Sequence, residues 1–340
     1  MILTTQATIT SEQSVLLQAH LERLGTNALP LEWNGAQNYV LGDTPLDEHD
    51  INALTALGAD RVISLKQQYQ VVSRAFQPEN TIVNISGVTF GGEQVPVIVG
   101  PCSVETQEQM AAVVAGARNA GCTMIRGGAY KPRTSPYAFQ GHGEYGLELL
   151  CDAAHPKGLP VVTEIMDIRE LDSFMKHNVD AIQVGTRNMQ NFSLLKELGA
   201  TRIPIILKRG MSATLSEWLM AAEYIASGGN SQIILCERGI RTFETAYRNV
   251  LDVTGVIVAK KETHLPVIVD PSHAGGKAWM VAALAKAAIA VGADGLLVEM
   301  HPNPKESWCD ADQALSIEEI QTLVPQLDAV AQAVGRSILA

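Results

Sequence analysis

The chain has 340 residues, 46% hydrophobic but only 5% aromatic, and a formal net charge of −11. That acidic balance argues against nucleic acid or an anionic membrane surface as the main partner, and no apolar run approaches the roughly 18 residues that span a bilayer. The opening MILTTQATIT has no basic segment followed by an apolar one, and five scattered cysteines do not form a disulfide framework, so a reduced, cytoplasmic protein is expected.

In chain order, residues 2–9 alternate as a strand, and SEQSVLLQAHLERL (11–24) reads as a helix with Ser11 as N-cap. Short strands follow at 29–33 and 37–41, joined through Asn34-Gly35. A helix fits 47–57, and ADRVISL closes the unit as a strand. The order β-α-β-β-α-β predicts a small α+β, ferredoxin-like domain over 1–65, a fold that often binds effectors but does not itself establish a function. Residues 66–94 read as a polar connector, with SGVTFGGEQ as a hairpin capping a larger body.

From residue 95 onward, aliphatic runs alternate with helical stretches. Eight runs are legible: VPVIVG, TMIRGG, PVVTEI, AIQVGT, PIILKR, QIILCE, PVIVD and GLLVEM. Helices are expected between them, for example over 105–120, 143–155, 190–199, 214–228 and 277–290. Continuous apolar runs are what parallel strands buried on both faces require. Eight βα units over 95–340 match a (β/α)8 TIM barrel of roughly 250 residues better than an open doubly wound sheet. The predicted fold class is therefore α/β, a barrel preceded by the small α+β domain.

In such a barrel the chemistry sits at the C-terminal ends of the strands. Those ends carry, in order, Cys102, Arg126, Glu164, Arg187, Lys208, Arg238, His273 and Glu299. Each alone is unremarkable, because a lone Cys is usually a small buried residue and a lone His a structural one. A full ring of charged or metal-binding groups predicts a chemical site. Cys102, His273 and Glu299, completed by Asp310, are a plausible divalent-metal set. Arg126, Lys131, Arg133, Arg187, Lys208 and Arg238 would repel one another at one mouth unless a ligand with more than one anionic group lay between them. Within GGAYKPRTSP (127–136) the glycines admit close backbone approach, and Thr134 and Ser135 place hydroxyls beside Lys131 and Arg133.

The motifs GPCSVET (100–106), RGGAYKPRTSPYAFQG (126–141), QVGTRNMQNF (183–192), LKRG (207–210), CERGIRTFE (236–244) and DPSHAGG (270–276) resemble those of the type I 3-deoxy-D-arabino-heptulosonate 7-phosphate (DAHP) synthases. The resemblance is narrower to the Iβ branch with an N-terminal ferredoxin-like domain. It implies condensation of phosphoenolpyruvate with erythrose 4-phosphate, with Lys131, Glu164 and His273 catalytic. It implies Cys102, His273, Glu299 and Asp310 as ligands of a divalent ion, manganese first, with iron, cobalt, zinc or copper also compatible. It implies phosphoenolpyruvate contacts from Arg126, Lys131, Glu164, Gly185, Thr186, Arg187, Lys208 and Arg238, and aldose-phosphate contacts from Lys131, Pro132, Arg133, Thr134 and Ser135. A homotetramer and an aromatic effector at the N-terminal domain are further implications. Thr186 departs from the family's common Ala, and Cys309-Asp310-Ala311 from a common Ser-Asp-Gly. The sister enzymes that make 3-deoxy-D-manno-octulosonate 8-phosphate from arabinose 5-phosphate share the barrel, but they typically carry an Asn-containing loop where this chain has Lys131-Pro132-Arg133-Thr134. Two other readings are a Schiff-base aldolase using Lys208 and a non-catalytic effector-binding protein.

Overall fold

The computed structural model describes residues 1–6, 9–33, 35–42, 44–65, 67–133 and 135–339. The N-terminal elements are β1 (Ile2–Thr5), α1 (Ser11–Arg23), β2 (Ala28–Trp33), β3 (Ala36–Leu41), α2 (Glu48–Ala56) and β4 (Ala59–Ile63). They form a four-stranded antiparallel sheet in the order β2-β3-β1-β4. The first strand is shorter than the alternation suggested. The N-cap of α1 is Thr10 rather than Ser11: the Thr10 hydroxyl accepts from Gln13 N, and Gln13 reciprocates to the Thr10 backbone. Asn34 lies outside the described residues, and Gly35 beside it has φ of 78°.

Successive strand residues face opposite ways. Leu3, Tyr39 and Leu41 pack with Leu17, Leu21 and Leu54 of the two helices, whereas Ile2, Leu31 and Trp33 join the large core that includes the connector and barrel. Trp33 packs edge-on to Phe76 and His264, and its indole N–H donates to Gln77 at 3.1 Å. The buried Glu223 carboxylate pins the connector by accepting from Val71 N and Val72 N, at 2.8 and 3.0 Å. A hairpin, β5 (Val83–Ile85) and β6 (Val88–Phe90), follows, turning through Ser86 and Gly87, both at positive φ.

The remaining strands are β7 (Val97–Gly100), β8 (Met124–Arg126), β9 (Val161–Ile165), β10 (Ala181–Val184), β11 (Ile205–Lys208), β12 (Ile233–Glu237), β13 (Val267–Val269) and β14 (Leu296–Glu299). They pair in parallel and in sequence order, and β14 closes onto β7. The helices between and after them are α3 (Gln107–Asn119), α4 (Glu144–Ala154), α5 (Leu171–Lys176), α6 (Phe192–Ala200), α7 (Leu215–Ala226), α8 (Val253–Glu262), α9 (Pro271–Gly275), α10 (Ala278–Ala290) and α11 (Ile317–Ala333). Capping boxes start α7 (Thr214 with Glu217) and α11 (Ser316 with Glu319).

The strands bury both faces. Outward residues such as Val97, Ile125 and Leu207 meet the helices, while Ile98, Met124, Val162, Ile206, Ile268 and Leu297 point inward. Val83, Ile85 and Phe90 of the hairpin belong to that inner cluster, so the hairpin plugs the N-terminal mouth. The barrel is filled from below, and the polar strand ends face the opposite mouth. No helix of the described residues is long and apolar enough to cross a membrane.

Candidate active site

The four expected metal-binding residues converge. Ligand atoms of Cys102, His273, Glu299 and Asp310 all lie within 4.8 Å of one another. His273 Nε2 is 3.2 Å from Glu299 Oε1 and 3.9 Å from Asp310 Oδ2, and Cys102 Sγ is 3.4 Å from Asp310 Oδ2. The donors come from the ends of β7 and β14, from α9 and from the loop after β14, so only the closed barrel brings them together. Asp310 has φ of 53°, an uncommon conformation for a residue with a side chain, so the surrounding contacts must enforce it.

The groups behind these donors suit a cation. Asp270, fully buried, accepts from His273 Nδ1 at 2.7 Å, which places the ring proton on Nδ1 and leaves Nε2 unprotonated toward the cluster. Burial opposes the charge on Asp270, but His273 and Lys208 outweigh it and hold the carboxyl well below its ordinary value. Burial lowers the His273 pKa against the pull of Asp270 and Glu299, keeping the ring neutral as a metal ligand must be. Glu299 Oε2 accepts from Gln313 at 2.6 Å and Oε1 from Arg126 at 2.8 Å. One soft thiolate, one imidazole and two carboxylates fit a divalent transition metal.

Above the cluster opens a cavity of about 370 Å³, within the usual size of small-molecule sites. All six expected cations line it. Arg126 donates through Nη1 to Pro101 O and Glu299, while its buried Nε has no partner among the described residues. A buried N–H left open costs free energy unless a ligand accepts from it. Lys131 Nζ lies 2.7 Å from Cys102 O and 3.1 Å from Cys102 Sγ. Burial alone would lower its pKa, but the Cys102 and Cys309 sulfurs outweigh this and keep it an ammonium. Lys208 is ion-paired with Asp270 at 2.6 Å, so it offers charge and N–H groups rather than a free amine lone pair. Arg238 is buried, and burial lowers its pKa; among the described residues its Nη1 reaches only Gly239 O, at 3.4 Å.

The remaining expected residues fall on the same walls. Glu164 accepts from Gln183 at 3.1 Å. Gly185 must lack a side chain there, because a Cβ would sit 1.8 Å from Glu164 Oε1. Thr186 and Arg187 form a short 3-10 turn beside it. Pro132, Arg133 and Ser135 line the opposite wall, with Arg133 Nη1 against Cys309 Sγ. Thr134 lies outside the described residues. A Cβ on Gly128 would fall 2.7 Å from Cys102 O and within 3 Å of Lys131, so that glycine allows Lys131 to fold back over the Cys102 sulfur.

Sequence reasoning missed three groups. Arg248 lines the cavity as a seventh cation, 2.8 Å from Gln313 Oε1 and 3.7 Å from Asp310 Oδ2. It sits in an irregular loop after β12, where no strand end marks it. Asp270 and Gln313 act from behind the donors. The Asp-Pro-Ser-His spacing was the available signal for Asp270; nothing local marked Gln313.

The model of the DAHP synthetase I family matches residues 63–335. The chain belongs to the DAHP synthetase I family. It is an enzyme, a transferase of the 3-deoxy-7-phosphoheptulonate synthase class. Among family relatives, a phospho-2-dehydro-3-deoxyheptonate aldolase of Thermotoga maritima is 47% identical over 81% of this chain and 81% of its own. A crystal structure of DAHP synthase from Thermotoga maritima superposes with a TM-score of 0.79 at 40% identity, covering 99% of this chain and 98% of that one. A truncated form from the same organism gives 0.74 at 44% identity over 79% of this chain. A 2-dehydro-3-deoxyphosphooctonate aldolase of Syntrophotalea carbinolica is more distant, at 29% identity over 73% of this chain.

Proposed function

We propose that the C-terminal mouth of this barrel condenses phosphoenolpyruvate with erythrose 4-phosphate and water, giving DAHP and inorganic phosphate. The observation that carries the reading is the joining of two features in one cavity. Four donors able to hold a divalent ion form one side, and seven cations, one with an open buried N–H, surround the rest.

Cys102, His273, Glu299 and Asp310 would hold the ion, with manganese the first choice. When bound, it supplies Lewis acidity toward the aldehyde oxygen. Arg126, Lys131, Lys208 and Arg238 hold the phosphate and carboxylate of phosphoenolpyruvate, and Gly185, Thr186 and Arg187 close the same wall. Pro132, Arg133 and Ser135 face the phosphate of the aldose, and the family resemblance adds Thr134 to that set. This arrangement sets C3 of phosphoenolpyruvate against the aldehyde carbon, and holding both reactants removes much of the entropic barrier. As the carbon–carbon bond forms, positive character develops at C2, and the Glu164 carboxylate stabilises it. Lys131, an ammonium beside the metal-binding thiolate, delivers a proton to the new alkoxide. Water then adds at C2, and cleavage of the C2–O bond releases phosphate.

The ion-paired state of Lys208 speaks against the Schiff-base reading, and borohydride treatment with substrate should trap no adduct. For the N-terminal unit and assembly, the family resemblance supports an aromatic effector and a homotetramer in the cytoplasm; gel filtration with and without phenylalanine or tyrosine tests both. The test of the main reading is phosphoenolpyruvate consumption by metal-loaded protein with erythrose 4-phosphate or arabinose 5-phosphate. Turnover with the four-carbon sugar is expected. Turnover only with the five-carbon sugar would assign the chain to the octulosonate branch.

A further inference from the structure

Just outside the cavity a buried carboxylate joins loops that belong to different strands. Glu105, 6% exposed, lies between β7 and α3, three residues after Cys102. Its Oε1 accepts from Trp308 N at 2.9 Å, Ser103 Oγ at 3.0 Å and Ser307 Oγ at 3.5 Å. Its Oε2 lies 3.3 Å from His301 Nε2. Because His301 Nδ1 accepts from Asn303 N at 3.0 Å, the ring proton sits on Nε2 and is donated to Glu105. The backbone of Glu105 is engaged as well. Its N–H donates to Gln109 Oε1 at 2.9 Å, and its C=O accepts from His142 Nε2 at 2.9 Å. The Trp308 ring, held by this hub, packs edge-on to Phe139 and His142 of the loop that also carries Lys131 and Arg133.

We propose that Glu105 is a positioning residue for the metal centre, its carboxylate fastening the loop that bears Asp310 to the loop that bears Cys102. This role of Glu105 rests on the metal-site reading above. Asp310 follows Trp308 by two residues and has φ of 53°, a conformation uncommon outside glycine. Two contacts flank it: Gln313, which reaches Glu299 Oε2 at 2.6 Å on the C-terminal side, and the Glu105 hub on the N-terminal side. Releasing the hub frees residues 301–309 to relax, and the Asp310 carboxylate moves out of register with Cys102. Among the described residues, Glu105 neither lines the cavity nor hydrogen-bonds to any of the four donors, so no substrate contact is lost with it.

The experiment is Mn²⁺ titration of the full chain against a competing fluorescent chelator, for the native protein and Glu105→Gln. The amide keeps the volume but loses the charge and one acceptor. Direct hydrogen-bond partners of metal ligands typically contribute 10- to 100-fold in affinity; Glu105 acts one contact further out, so a rise in the dissociation constant of about tenfold is expected. At saturating Mn²⁺, kcat should fall while the KM for phosphoenolpyruvate stays within about twofold. A purely structural role would lower the thermal midpoint and leave metal affinity alone. Should Glu105→Gln fail to fold, the pair Ser103→Ala and Ser307→Ala removes two donors from the same carboxylate and should weaken Mn²⁺ binding in the same direction. Native protein that binds no Mn²⁺ would overturn the metal-site reading itself. Native binding with unchanged affinity in the variants would overturn the role of Glu105 alone.

Discussion

The two mouths of the barrel are built from the two ends of the same eight strands, yet their chemistry is opposite. The N-terminal mouth is closed by Val83, Ile85 and Phe90, and the nearby His264 is neutral and fully partnered: Nε2–H donates to Val71 O and Nδ1 accepts from the Thr81 hydroxyl, at 2.8 and 2.7 Å. The C-terminal mouth gathers seven cations, four donors able to hold a metal ion and a buried N–H with no partner among the described residues. One end is closed by apolar side chains and a fully partnered histidine and so contributes stability. The other leaves groups in want of a ligand and so contributes function, at a cost in stability that the closed end offsets.

Perturbing each end separately should break activity and stability apart. The largest effect belongs to the open end. His273→Ala removes a donor and the partner of Asp270, and kcat should fall by at least about 10³, or roughly 4 kcal/mol of barrel chemistry. Turnover assays in metal-buffered solution check this, and normal turnover would refute the ligand assignment. At the closed end, Phe90→Ala should cost about 3–5 kcal/mol of stability while the folded enzyme keeps its kcat/KM. Urea unfolding and steady-state kinetics on the same sample would show it, and a comparable loss of kcat would blur the division between the mouths.

His264 sharpens the contrast through pH. Burial outweighs the effect of its hydrogen bond to Val71 and lowers its pKa from 6.5 to about 4. The unfolded chain takes up a proton where the folded chain does not. Stability from this group is therefore full above pH 6.5, declines as pH falls toward 4, and levels off below that. The loss amounts to about 3 kcal/mol. Urea midpoints at pH 7.5 and 4.5 should differ less in His264→Gln than in the native protein; equal slopes would contradict the account.

Smaller changes return to the open end. Arg238→Ala removes a charged hydrogen-bond donor with few protein partners, and kcat/KM for phosphoenolpyruvate should drop by about 1.5–3 kcal/mol, roughly ten- to hundredfold. Cys309→Ser keeps a polar atom against Arg133 and should leave kcat unchanged; a large loss would give the thiol a role that the mechanism above does not assign.

The sequence was most informative where the fold imposes a rule. Parallel strands buried on both faces write continuous apolar runs, and the residue at each run's end falls at the open mouth, so Cys102, Arg126, Lys208, Arg238 and Glu299 were visible in advance. The hairpin plug was expected over SGVTFGGEQ (86–94), but its strands lie at 83–85 and 88–90, on either side of the Ser86-Gly87 turn. Thr10 rather than Ser11 capping α1 was not, because adjacent hydroxyl residues offer the same cap and only the backbone turn selects one. The six-residue α5 is too short to show a helical period. Arg248, Gln313 and Glu105 were hidden for another reason. Each acts on a neighbour from a distant part of the chain, and no local spacing encodes a contact such as Arg248 to Gln313.

The central claim is that the open mouth is a metal-dependent synthase site, and titrating metal back into chelator-stripped protein tests it most directly. With phosphoenolpyruvate and erythrose 4-phosphate present, turnover should be absent at first and rise linearly to a plateau at one divalent ion per chain. Full turnover in the stripped protein, before any metal is returned, would contradict it.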